Sequence, residues 1–104
     1  MFFVYVLRCE DGSLYTGMTS DYQRRFLEHY NKTEKCARYT RTHQVKEMAG
    51  LWECKDKSCA AKLEYHFKHL KKCEKEAMLN DNSLFEALLC QKLDICNYKR
   101  ISLP

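Results

Sequence analysis

The spacing of apolar residues changes period within the first thirty positions. "FFVYVLRC" (2–9) is a run of aromatic and β-branched residues, "LYTGMT" (14–19) is a shorter one, and Glu10-Asp11-Gly12-Ser13 lies between them. Two such runs around an Asp-Gly predict a β-hairpin. From Ser20 the period becomes helical. Ser20 and Gln23 read as a capping box, and Tyr22, Phe26 and Tyr30 form an apolar stripe, so a helix is expected to about Tyr30. Residues 31–44 are polar and basic and are expected to form a loop. "VKEMAGLWEC" (45–54) reads as a third strand interrupted by Gly50. Ala60, Leu63, Phe67 and Leu70 predict a second helix from near Ser58 to about Cys73. After Asn80-Asp81-Asn82, a second capping box from Ser83 to Glu86 opens a last helix with Phe85, Leu88, Leu89 and Leu93 on one side. The order ββαβα plus a terminal helix predicts an α+β fold, a small three-stranded antiparallel sheet flanked by helices with an added C-terminal helix.

A chain of 104 residues suits one domain with a core that needs no metal or cross-link. After Met1 only six apolar residues precede Arg8, too few for a membrane span or a signal-peptide core, and no longer run follows. A soluble cytoplasmic protein without a membrane partner is expected. Seven cysteines, at 9, 36, 54, 59, 73, 90 and 96, include no C-x-x-C pair. The odd number points to free thiols in a reducing compartment. The net charge is +4, and basic residues concentrate at 24–46 and 55–75. Such segments suit contact with phosphates, although two solvated helix faces would carry the same charge.

The candidate chemistry begins in the hairpin. A two-residue Asp11-Gly12 turn pairs residue i with 23 − i and puts Tyr5 and Tyr15 on opposite faces. A three-residue loop with Gly12 left-handed at a bulge pairs i with 22 − i. Tyr5, Leu7, Tyr15 and Gly17 then share a face, with Tyr5 opposite Gly17. Local rules allow both registers. On the first helix, at about 100° per residue, Arg25 and His29 lie beside the Tyr22/Phe26 stripe while Arg24 points away. On the second helix Glu64 lies at the edge of the stripe, with Lys68 at i+4. A surface ion pair of a few tenths of a kcal/mol would explain that spacing equally well.

Taken together, "VYVLRCEDGSLYTGMTSDYQRRFLEH" resembles the start of a GIY-YIG nuclease domain. In that family a first-strand tyrosine is followed by a Tyr-x-Gly, then by an arginine and a histidine four residues apart, and a glutamate lies on a later helix. Those positions hold Tyr5, Tyr15-Thr16-Gly17, Arg25, His29 and Glu64 here. "ARYTR" (37–41) and "LEYHFKHLKK" (63–72) are similar to the small stand-alone bacterial members, the YhbQ/YazA type. The resemblance spans residues 2 to about 79, which implies a nuclease domain over 1–80 and a helical extension over 81–104 packed on it. Phe3-Val4-Tyr5 lacks the Gly-Ile of the family name, Thr16 occupies the centre of the second triplet, and Gln44 stands where the small members usually have proline.

The resemblance implies a metal-dependent endonuclease that hydrolyses DNA, reading structure more than sequence. Glu64 would hold one Mg²⁺ (or Mn²⁺), and Arg25 would clamp the scissile phosphate. Tyr5 would be the general base or proton relay, Tyr15 would position water or phosphate, and His29 would orient a tyrosine or touch the phosphate. Gly17 would leave room for substrate, and Arg38, Arg41 and Lys68 would contact the nucleic acid. The resemblance also selects the bulged register. A binding module that retains the fold without catalysis is the alternative. A zinc site is a second rival, because Cys59, His66, His69 and Cys73 share one side of a helical wheel with Cys54 just upstream, although their spacing matches no common zinc pattern. The C-terminal helix would cap the sheet in a monomer or form a homodimer interface.

Overall fold

The register of the hairpin sets the frame. In a computed structural model that describes residues 1–103, Gly12 has φ +85° and the loop is Glu10-Asp11-Gly12, closed by Cys9 N–H donating to the Ser13 carbonyl at 2.9 Å. Strand β1 (Phe2–Cys9) pairs antiparallel with β2 (Leu14–Thr19), with Tyr5 opposite Gly17 and Leu7 opposite Tyr15. This is the bulged alternative, which needs a residue free of the left-handed penalty at position 12.

Helix α1 (Tyr22–Tyr30) starts one residue later than the capping box implied. Asp21, extended at φ −140°, is the cap, and its carboxylate accepts from Arg24 N–H at 3.1 Å. The buried stripe is also rotated. His29 is fully buried, whereas Tyr30, expected in the stripe, is 46% exposed. The helix leans on the sheet through Tyr22, whose ring meets Phe3 edge-on at 5.0 Å, so the buried direction centres on Tyr22 and His29. The expected loop 31–44 contains a short helix α2 (Arg38–Thr42), too brief to show a periodicity. It follows a Schellman stop in which Thr33 N–H donates to Glu28 O and Lys32 N–H to His29 O, with Lys32 left-handed where glycine is usual.

Strand β3 (Val45–Cys54) continues through Gly50 and pairs with β1, with a shift of register there, where Val6 faces Gly50 and Leu7 faces Met48. A Cβ at Gly50 would lie 2.6 Å from Leu79 Cδ2 and 3.0 Å from Trp52 Cζ3, so this glycine admits the packing around Trp52. The second predicted helix is two helices. α3 (Lys57–Lys68), capped by Asp56, ends before His69, and α4 (Lys72–Asn80) follows, its start held by Glu74 accepting from Lys71 N–H at 2.8 Å. Lys71, which precedes α4, is not a capping residue type, so the break carried little local signal. α5 (Ser83–Leu89) is shorter than its stripe suggested, although Leu93 beyond it is buried. A 3₁₀ turn (Ile95–Asn97) then leads into β4 (Tyr98–Arg100), a strand too short for sequence patterning. The sheet is therefore four-stranded and antiparallel, in the order β2-β1-β3-β4, rather than three-stranded.

Each sheet face has its own core. Val4, Val6, Trp52 and Cys54 pack under α3, α4 and α5. Tyr5, Leu7, Val45 and Leu51 pack under α1, α2 and the segment after β4. α5 directs Phe85 and Leu89 into the first core, so its stripe is used within the chain. Arg8 ties α4 to β1 through a paired contact with Glu76 (2.8 and 2.6 Å). Arg100 lies 4.7 Å over the Trp52 ring, while the Trp52 indole N–H donates to Asn82 at 3.3 Å. No helix among the described residues is long and apolar enough to cross a membrane.

Because Phe85 stacks on Trp52 at 5.8 Å, the last quarter of the chain and the sheet should unfold together. Phe85→Ala is expected to cost about 3–5 kcal/mol and to preserve a single urea transition monitored by Trp52 fluorescence. Two separated transitions in the wild type would show that residues 81–104 form a unit of their own.

Candidate active site

The shared face of β1 and β2 brings Tyr5, Tyr15 and Gly17 together beneath α1. The Tyr5 and Tyr15 ring centroids are 6.4 Å apart, and the His29 ring lies 5.6 Å from the first and 5.3 Å from the second. The Tyr5 hydroxyl and His29 Nε2 are 2.9 Å apart. On its far side, His29 Nδ1 meets the Thr40 hydroxyl at 2.6 Å, and Thr40 Oγ1 also lies 3.1 Å from the Ala37 carbonyl. Arg25, one turn before His29, bonds through Nη1 to the Glu28 carboxylate at 3.0 Å and to the Lys35 carbonyl.

Gly17 has a different purpose from the one expected. A Cβ there would lie 2.6 Å from Tyr5 Cζ, so the space a side chain would need is filled by the phenol ring and is not left for substrate. The glycine makes room for the tyrosine across the hairpin.

Burial dominates the electrostatics. Tyr5 is 2% exposed, and loss of solvent, with Tyr15 adding to it, pushes its pKa up to about 12 against the opposing pull of Arg25. Tyr15 is raised for the same reason. Burial, reinforced by the Arg25 charge, lowers His29 to about 4, so its ring is neutral at neutral pH. Glu28, bonded to Arg25, is held below the usual carboxylate range.

Glu64 lies on α3, which packs on the other sheet face, and it acts on this cluster through its charge and not by contact. Its carboxylate is close enough to oppose ionisation of both Tyr5 and Tyr15. It is partly exposed and meets Lys68 only at 3.7 Å, the loose surface pairing that the i+4 spacing implied. Lys68, Arg38 and Arg41 are exposed and lie outside the buried cluster, and Arg41 donates to the Glu34 carbonyl at 3.3 Å. Sequence patterning missed Thr40 and Tyr39. The Tyr39 ring stacks on Tyr15 at 5.8 Å and under His43 at 3.9 Å, extending the aromatic group outward. Both residues sit inside the "ARYTR" segment, whose likeness to the small bacterial proteins was the one signal available.

The residues of the zinc reading are dispersed. Cys59 is buried in the α3 core, and the break after Lys68 separates His66 and His69 from Cys73, which is exposed on α4. Among the described residues no three His, Cys, Asp or Glu side chains converge, and the cysteines are all free thiols.

Residues 1–77 match the family model of the GIY-YIG catalytic domain. The chain belongs to the GIY-YIG family. UPF0213 protein FN1575 of Fusobacterium nucleatum is 38% identical over 84 residues, covering 81% of this chain and 82% of that protein. UPF0213 protein YhbQ of Salmonella typhimurium is 37% identical over 87 residues, covering 84% and 85%. The solution NMR structure of UPF0213 protein BH0048 from Bacillus halodurans is 32% identical and covers 89% of this chain and 99% of that one, with a TM-score of 0.48. The GIY-YIG domain match places the chain in a family of nuclease type.

Two consequences of the packing can be measured. Gly17→Ala should cost about 1–3 kcal/mol in urea denaturation, because the Tyr5 ring or the strand must move; unchanged stability would mean that the ring has another place to go. For His29, the unfolded pKa of 6.5 exceeds the folded value of about 4, so the unfolded chain binds more protons between those values. Stability should therefore fall as pH drops through this window, by up to roughly 3 kcal/mol from this group. The His29→Gln variant should lack that component when urea curves are compared from pH 7 to pH 4.

Proposed function

We propose that this chain is a metal-dependent endonuclease that hydrolyses phosphodiester bonds of DNA and selects its substrate by structure more than by sequence. The observation that carries the reading is the convergence of Tyr5, Tyr15, His29 and Arg25 on one face of the hairpin, with the Glu64 carboxylate near enough to influence both phenols.

Glu64 is the residue that would hold a divalent ion. It is partly exposed, its oxygens are hard donors, and its ammonium partner is loose. One carboxylate suits Mg²⁺, which keeps much of its hydration shell. When bound, such an ion supplies charge stabilisation to a phosphate that becomes more negative during attack. Arg25 presents a planar fork whose Nη1 is anchored by Glu28 and Lys35, and its remaining N–H groups serve the phosphate oxygens. Glu28 thus sets the position of the clamp.

Tyr5 works as a relay and not as a standing phenolate, because burial keeps its proton on at neutral pH. As attack proceeds, a water O–H bond breaks and a new Oη–H bond forms, while the original phenol proton leaves along the 2.9 Å contact to His29 Nε2. Burial disfavours the resulting imidazolium, so that proton returns to Tyr5 Oη and the phenol gives one up as the P–O bond to the departing strand breaks and its oxygen is protonated. Tyr15 orders the attacking water beside Tyr5. Arg38, Arg41 and Lys68 contact backbone phosphates, which position a nucleic acid and report its shape without reading bases.

The test is cleavage of labelled duplex, single-stranded and branched DNA with Mg²⁺ or Mn²⁺ by wild type, Arg25→Ala and Glu64→Gln. Cutting by the wild type is expected, with losses of about 10²–10³-fold in each variant and retained binding. Binding without cutting by any of the three proteins would replace the enzyme with a non-catalytic nucleic-acid-binding module.

A further inference from the structure

Thr40 is wholly buried, on a five-residue helix that otherwise shows its arginines to solvent. The Thr40 hydroxyl donates its single proton to the Ala37 carbonyl at 3.1 Å, which also accepts from Arg41 N–H. The lone pairs of Oγ1 are then left facing His29 Nδ1 at 2.6 Å. A neutral imidazole carries one N–H. With that proton on Nδ1, the three side chains form one chain: Nδ1–H donates to Thr40, and Nε2 accepts the Tyr5 hydroxyl.

The opposite tautomer breaks this chain at both ends. Thr40 would have to abandon the Ala37 carbonyl to donate to Nδ1. Nε2–H would then donate to Tyr5 Oη. Beside Arg25, which can only donate, the buried phenol would lose the acceptor for its own proton. Buried polar groups are rarely left unpaired. The cost of the Nδ1–H form is the Ala37 N–H, whose long 3.5 Å bond to Nδ1 is given up, a weaker contact than the 2.9 Å Tyr5–Nε2 bond that it keeps.

We propose that Thr40 is a positioning residue that holds His29 in the Nδ1–H tautomer, so that Nε2 is the acceptor and Tyr5 the donor in their hydrogen bond. The catalytic consequence rests on the nuclease reading above, since the relay needs an empty lone pair on Nε2 to receive the phenol proton. The tautomer itself rests only on the geometry.

Long-range ¹H–¹⁵N correlation of the histidine rings at pH 7 tests the tautomer without any substrate. His29 should show a protonated Nδ1 and a bare Nε2 in the wild type and in Thr40→Ser. In Thr40→Val, which keeps the shape and removes the hydroxyl, the proton should move to Nε2 or exchange between the two nitrogens. In DNA cleavage, Thr40→Val should lower kcat about 10–100-fold with KM unchanged, and Thr40→Ser should restore most of the rate. A wild-type His29 protonated on Nε2, or a folded Thr40→Val that keeps Nδ1–H, would overturn the proposal. A tautomer that changes as described in a protein that cuts nothing would uphold the role of Thr40 and defeat the nuclease reading instead.

Discussion

Residues directly opposite each other in an antiparallel pair hold their Cβ atoms about 5 Å apart, and an aromatic ring can lie across its partner's position only if the partner has no side chain. Tyr5 lies across Gly17 in this way. That contact ties the register of the hairpin to the position of a hydroxyl, and the hydroxyl in turn meets His29 on α1. A one-residue slip would send Tyr5 to the face covered by α3 and leave His29 without a partner. Backbone pairing, helix docking and the buried polar chain from Tyr5 to Ala37 therefore stand or fall with one register.

The same burial shapes the chemistry. Removing solvent disfavours the charged forms of both Tyr5 and His29, so their hydrogen bond joins two neutral groups. Arg25 is the charged member at the rim, and Glu28 and the Lys35 carbonyl hold it there. A neutral interior with a cation at its edge holds little stored repulsion.

The site straddles the edge of the sheet. α1 and α2 cover one face and supply Arg25, His29 and Thr40, while α3 covers the other and supplies Glu64. At the opposite edge β4 pairs with β3, and Arg100 covers Trp52 and reaches the carbonyls that end α4. The chain beyond the family domain thus completes both cores, with Phe85 and Leu89 on one face and Ile101 and Leu103 on the other.

Local chemistry by itself determined the hairpin, the third strand, the α+β class and the family, because alternation, Asp-Gly and the Tyr/Tyr-x-Gly/Arg/His spacing are all encoded within a few residues of each other. The sequence also named Tyr15, Gly17, Arg25 and His29 around Tyr5, but not Thr40 behind His29 or Tyr39 against Tyr15. Tertiary structure decided what depends on neighbours remote in the chain. Turn rules allowed two registers, and the structure contains the one that seats Tyr5 over Gly17. The stripe of α1 was displaced toward His29 because Thr40 and Tyr5, from separate segments, satisfy a buried imidazole. The helix break after Lys68 and the short β4 carry no cap, glycine or period of their own. They exist because Met78 and Leu79 must reach the Trp52 core and because β3 still had an open edge to pair, conditions that only the assembled fold imposes.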